Sequence, residues 1–237
     1  MEISLSIIGT YGEGGDSKRL STKHFDAMYL IAEELVTQIN DSGYSLTHLV
    51  GGGSVWTSHL SIKLFLNKKV SNLRLFLSAE FQDGTYKDNG IINDLLKNPG
   101  GVANYYHHQF QRTTGINSLS EIELAKRYGA ELILVDNYYA RNALIAKSDF
   151  ILACTFGNKN EVKEGNTADI IRAYLNRVSK EGIFDKSFHY DLESGEIFIG
   201  CTVPIKTQDQ IYIKKPMTSS KSNLALFNLF KKTIGTP

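Results

Sequence analysis

Apolar residues fall into two alternating rhythms along this chain. Short, nearly continuous apolar runs predict strands at Ile3–Ile8, Leu46–Val50, Leu73–Leu77, Glu131–Val135 and Phe150–Thr155. Between them, apolar residues recur every three or four positions. Phe25, Met28, Ala32, Leu35, Val36 and Ile39 form one such stripe, and Trp56, Leu60, Leu64 and Phe65 another. The same spacing predicts helices over Gly101–Arg112, 118–128, Tyr138–Lys147 and Thr167–Val178, with Ser118 or Ser120 capping the second of these. After Gly182 the rhythm becomes that of strands, at Ser187–Leu192, Ile197–Ile199 and Ile211–Ile213, with Glu193–Glu196 as a hairpin turn. Leu224–Ile234 reads as a closing amphipathic helix.

Strands alternating with helices through short connections predict an α/β fold, a mainly parallel sheet flanked by helices. The expected organisation is one domain over 1–237. Its core covers about 3–180, and a short β extension and C-terminal helix cover about 183–237. Residues 80–100 lose the rhythm to Gly, Asp, Asn and Lys. A short helix near Ile91–Leu96 is the only element expected there, and the stretch is either a lid or a surface excursion.

Composition narrows the function classes. With 26 basic and 25 acidic residues, the chain has no excess of base to drive non-specific binding to nucleic acid. No apolar run reaches the roughly 18–20 residues of a membrane span. The start, M-E-I-S-L-S-I-I-G, reads as a strand rather than a signal peptide. Cys154 and Cys201 lie in apolar strand patterns and read as buried free thiols, which places the protein in a reducing, cytoplasmic compartment. His107 and His108 are adjacent on a helix and so point apart, with no Cys or Glu at ligand spacing. No metal and no cofactor are expected.

The candidate chemistry sits where strands end. The first predicted strand runs into Gly9-Thr10-Tyr11-Gly12-Glu13-Gly14-Gly15-Asp16, and the second into Gly51-Gly52-Gly53-Ser54 and a helix. Neither fits the dinucleotide fingerprint or the P-loop. Further on, Arg141 and Asn142 open a helix, a strand follows, and Gly165-Asn166-Thr167 lead into the next helix. Glycines let a backbone approach a ligand closely, and helix N-termini present N–H groups to anions.

Three motifs in this order, G-T-Y-G, G-G-G-S-V-W and A-R-N-A-L-I-A-K-S-D-F-I-L-A followed by G-N-T-A-D, resemble the SLOG superfamily. This is the Rossmann-like group that joins the DNA-processing protein A family to the lonely-guy phosphoribohydrolases. The similarity covers roughly residues 3–180. The resemblance implies binding of a nucleotide-derived small molecule, such as ADP-ribose or a cyclic nucleotide, by a homo-oligomeric sensor or sequestering protein. Gly9, Thr10, Gly12, Gly52, Gly53, Ser54, Gly165, Asn166 and Thr167 are the candidate ligand contacts, with the glycine loops holding phosphates through backbone N–H groups and Thr167 donating at the helix terminus. Arg141 would grip a phosphate, Asn142 would hold the loop or a ribose, and Tyr11 or Trp56 would stack on a base. Asn142 could equally cap a helix.

A nucleotide N-glycosidase of lonely-guy type is the alternative, with Glu13, Asp16 or Asp169 as the carboxylate that supports an oxocarbenium-like state. Each of these also reads as a loop or cap carboxylate. The lonely-guy sequence of proline, two glycines, Gly-Thr and a Glu three residues on is not reproduced. Pro99-Gly100-Gly101 has no Thr-x-x-Glu after it, and Asp169 occupies the general area of the acid in Glu164–Asp169. Binding of single-stranded DNA, as in the DNA-processing group, is a second alternative.

Overall fold

The computed structural model describes residues 3–91, 96–163, 165–183 and 185–204. Strands β1 (Ile3–Gly9), β2 (Leu46–Gly51), β3 (Asn72–Leu77), β6 (Glu131–Leu134), β7 (Phe150–Thr155), β8 (Ser187–Asp191) and β9 (Glu196–Ile199) form one seven-stranded sheet in the order β6-β3-β2-β1-β7-β8-β9. Every pairing is parallel except that of β8 with β9, whose antiparallel register puts Asp191 opposite Glu196. This is the expected α/β, Rossmann-like arrangement with its short β extension. A separate two-residue hairpin, β4 (Phe81–Gln82) with β5 (Thr85–Tyr86), lies in the stretch whose periodicity is lost.

Helices cover both faces, as a parallel sheet requires. On one face α1 (Thr22–Asp41), α2 (His59–Leu66), α3 (Pro99–Thr114) and α4 (Ser118–Arg127) bury Met28, Leu35, Leu60, Leu64, Phe110 and Ile122 against Leu5, Ile7, Leu49, Leu75 and Leu152 of the sheet. On the other, α5 (Tyr138–Ile145) and α6 (Asn166–Glu181) place Ile145, Ile171, Tyr174 and Val178 over Ile8, Val50, Phe76 and Ile151. Strand β1 is central, yet it alternates serine with aliphatics. The hydroxyl of Ser6 reaches the Ile145 carbonyl at 3.1 Å and Ser148 at 2.6 Å, and that of Ser4 donates to Asp149 at 2.8 Å. Those bonds satisfy the buried hydroxyls and tie β1 to the turn between α5 and β7.

Some local expectations are corrected. Trp56 does not belong to the helix that follows it. It has a positive φ of 53° and opens a 3-10 turn, Trp56–Ser58, before α2. Asn117, not Ser118 or Ser120, caps α4, its side chain accepting from the Ser120 N–H at 3.1 Å. Cys154 and Cys201 are both buried free thiols. The helix expected near Ile91–Leu96 falls largely on residues outside the described ones. So do the strand at Ile211–Ile213 and the helix at Leu224–Ile234. Among the described residues no helix is long and apolar enough to cross a membrane.

Candidate functional site

After β1 the chain builds β2, β3 and β6 on one side of it, then returns to add β7 on the other. Strand order therefore reverses between β1 and β7. Folds of this class bind ligands outside the carboxyl ends of their strands at such a point. A hollow of about 80 Å³ lies there, and its walls come from the loops after five parallel strands. Ile8 and Gly9 end β1, Gly52, Gly53 and Ser54 follow β2, and Ser78 follows β3. Tyr138 and Arg141 follow β6, and Asn166 and Thr167 follow β7.

Arg141 dominates this hollow. It sits in the second turn of α5, whose start is set by Asn137, the side chain of which accepts from the Ala140 N–H at 2.9 Å. The guanidinium lies over the Tyr138 ring, 4.6 Å from its centroid, and against the backbone of Gly52, where a Cβ would be 3.7 Å away. Long contacts of 3.3–3.4 Å to the Asn142 side-chain oxygen orient it. Among the described residues Arg141 makes no ion pair. Burial is the largest influence on it and lowers its pKa, with Tyr138, Tyr11 and Tyr86 acting the other way. An arginine keeps its charge even so. A desolvated cation without a counter-charge is costly, and an anion entering the hollow removes that cost.

Two further features favour an anion. The 16-residue helix α6 starts beside the hollow with Gly165 as N-cap, at φ 122°, and no side chain among the described residues caps it. Its first N–H groups and its dipole are thus available to a ligand. The loop after β2 is held by its carbonyl: Gly53 O accepts from the Tyr86 hydroxyl at 2.5 Å and from His107 Nε2 at 3.1 Å. Gly53 has φ 65°, and a Cβ there would collide with Leu77 and Tyr86.

A second hollow, of about 470 Å³, adjoins the first and shares Tyr11, Val102 and Tyr106 with it. Glu13, Asp88, Gly101 and Tyr105 also line it. The first volume is far below the roughly 300–1,000 Å³ of ordinary small-molecule sites, and the second lies within that range.

Of the residues singled out in the sequence, Gly9, Tyr11, Gly52, Gly53, Ser54, Arg141, Asn166 and Thr167 meet at the first hollow, and Glu13 lines the second. The rest do not line either. Thr10 is a loop staple: its hydroxyl donates to Asp16 at 2.8 Å and accepts from the Gly12 N–H. That bond engages one oxygen of Asp16. Gly12 packs toward the Trp56 indole. Trp56 is 4 % exposed and packs edge-on against Phe110 and Phe25, so it has no face left for a base. Asn142 neither caps a helix nor lines the hollow, and it positions Arg141. Gly165 is the cap of α6. Asp169 pairs with Arg172 at 2.6 Å.

Tyr86, Tyr105, Tyr106, Tyr138 and Ser78 line the hollows without having been singled out. The only sequence signal for them is the Tyr-Tyr doublet at 105–106 and its counterpart at 138–139.

Both ring nitrogens of His107 have protein partners. The residue is 1 % exposed, hydrogen bonded to Ser118 and Gly53, and burial pulls its pKa down to about 3. Among the described residues no group of three His, Cys, Asp or Glu side chains could hold an ion. Burial also lowers the pKa of His59 and of His189. A buried neutral imidazole stabilises the fold above the unfolded pKa near 6.5, and that contribution is lost as pH falls toward the folded value. His107 alone should cost about 2 kcal/mol between pH 7 and pH 5. Urea midpoints across that interval should fall, and the fall should be smaller in His107→Gln. A flat profile would mean that these imidazoles are not held neutral.

No family model matches the chain, and no solved structure matches it. It is 31% identical over 181 residues to Uncharacterized protein R261 of Acanthamoeba polyphaga mimivirus, an alignment covering 71% of this chain and 96% of the viral protein.

Proposed function

This chain belongs to one family with the mimivirus protein, and from its own geometry we propose that it binds a nucleotide or nucleotide-derived ligand, of the ADP-ribose or cyclic-nucleotide kind, as a sensor or sequestering protein. The observation that carries the reading is Arg141, largely buried and without an ion pair among the described residues, facing a hollow at the strand-order reversal. The glycine loop after β2 and the uncapped start of α6 supply backbone N–H groups around the same space. A phosphoryl group satisfies all three. The larger, tyrosine-lined hollow takes the rest of the molecule, since stacking on aromatic faces suits a base.

The N-glycosidase reading has one observation on its side. Of the three candidate carboxylates, Glu13 alone lines a hollow, and there it accepts a hydrogen bond from the Tyr11 hydroxyl. Single-stranded DNA binding requires a basic groove. Along both hollows Arg141 is the single basic residue among the described lining residues.

The test is a panel of ADP-ribose, NAD, AMP and cyclic nucleotides, read by thermal shift and by chromatography of the recovered ligand. A ligand at 100 times its Kd adds about 2.7 kcal/mol, which corresponds to about 5 °C or more at this size. An intact ligand with such a shift supports the binding protein, and a released base supports the glycosidase. A flat panel would remove both.

A further inference from the structure

The two hollows differ in sign. The first holds Arg141 and no carboxylate among its described lining residues. The second holds Glu13 and Asp88 and no basic side chain among its described lining residues. Asp88 is kept ionised by the Gly90 N–H and the Asn98 side chain, which hold its carboxyl below the usual range. The second hollow is also the aromatic one. Tyr11 and Tyr106 cross edge to face with centroids 5.1 Å apart, Tyr106 and Tyr105 do so at 5.4 Å, and Tyr105 is 58 % exposed. Tyrosine faces and carboxylates both attract a cation, and neither favours a second anion. Because Tyr11, Val102 and Tyr106 wall both hollows, one ligand can reach from the guanidinium to the acidic end.

We propose that this cleft selects a zwitterionic ligand, with a phosphate ester at Arg141 and a fixed positive charge among Tyr11, Tyr105, Tyr106, Glu13 and Asp88. Within the nucleotide reading on which it rests, the ligand class is a nucleotide whose base is cationic, as an N-ribosylpyridinium is. Phosphocholine presents the same two charges from a lipid headgroup. An uncharged base has the same anchor at Arg141 and gains less at the far end.

The experiment compares oxidised with reduced nicotinamide mononucleotide by calorimetry. Phosphate and ribose are the same in both, and only the ring's charge and planarity differ. Phosphocholine and ribose 5-phosphate complete the set. The oxidised form should bind at least about tenfold more tightly than the reduced form. The ratio should fall toward one in a Glu13→Gln/Asp88→Asn double variant that still binds ribose 5-phosphate as the wild type does. Phosphocholine binding more tightly than either nucleotide would keep the two-charge rule and assign its source to a headgroup. Equal affinity for the oxidised and reduced forms would overturn the proposal. If ribose 5-phosphate binding were then still lost in Arg141→Ala, the phosphate reading would stand without it. Failure of all the phosphorylated probes to bind would remove both.

Discussion

Arg141→Ala is expected to weaken binding of any phosphorylated ligand by about 1.5–3 kcal/mol, roughly tenfold to more than a hundredfold, without lowering the stability of the free protein. The two halves of this expectation have one cause. The guanidinium is largely buried, has no ion pair among the described residues, and is held by one ring face and two long contacts to Asn142. In the free protein its charge is a cost, offset in part by the Tyr138 ring. Truncation removes the cost and the ring contact together, so the melting temperature should stay level or rise. In the complex the same truncation removes a charge-assisted bond and leaves a phosphate without its counter-charge. Arg141→Lys should rescue little, because an ammonium cannot reproduce the planar fork. Calorimetry for affinity and thermal unfolding for stability check the two halves separately. A variant that loses stability while binding unchanged would make Arg141 a structural residue.

The second large effect concerns Gly9. A Cβ there would sit 1.9 Å from the carbonyl oxygen of Cys154 and 2.9 Å from the Thr57 hydroxyl, with φ at 150°. The obstacle is backbone, in register with Gly9 across the pairing of β1 with β7, so no rotamer change relieves it. The Thr10 N–H, which donates to the same carbonyl at 3.1 Å, would be lost as the strands part. Gly9→Ala should therefore cost about 3 kcal/mol or more, at the upper end of single substitutions. Urea unfolding with an unchanged m-value measures it. A wild-type midpoint would mean that β1 and β7 do not approach this closely.

Where an element is long and buried on both faces, its residues declare it. Phe150–Thr155 is predicted and observed with the same bounds, because six consecutive buried residues bounded by Asp149 and a polar loop leave little choice. The β8–β9 hairpin is legible in Glu193–Glu196, a turn composition between two apolar runs, although Glu196 itself opens β9. The β4–β5 hairpin is not legible, since two-residue strands have no period to detect.

The site divides similarly. Glycines after β1 and β2 announce close approach, and those at 9, 52 and 53 line the first hollow. Trp56 looks the same in a sequence whether it stacks on a base or on Phe110. Asp16 and Asp169 read in the sequence either as loop or cap carboxylates or as catalytic candidates, and their contacts with Thr10 and Arg172 are visible only in the structure. That Arg141 has no ion pair among the described residues depends on what distant loops bring beside it, and no local pattern records that. The aromatic wall is hidden because Tyr105 and Tyr106 are neighbours on α3, and their spacing does not say which loops from other parts of the chain meet them.

On the proposed function, the hollow at the strand-order reversal binds a phosphoryl group. A crystal structure of the protein with ADP-ribose tests it most directly. The phosphate should lie within hydrogen-bonding distance of the Arg141 guanidinium and of N–H groups of Gly52–Ser54 or the first turn of α6. A ligand bound elsewhere with this hollow closed, or Arg141 found paired with a carboxylate of the protein, would contradict it.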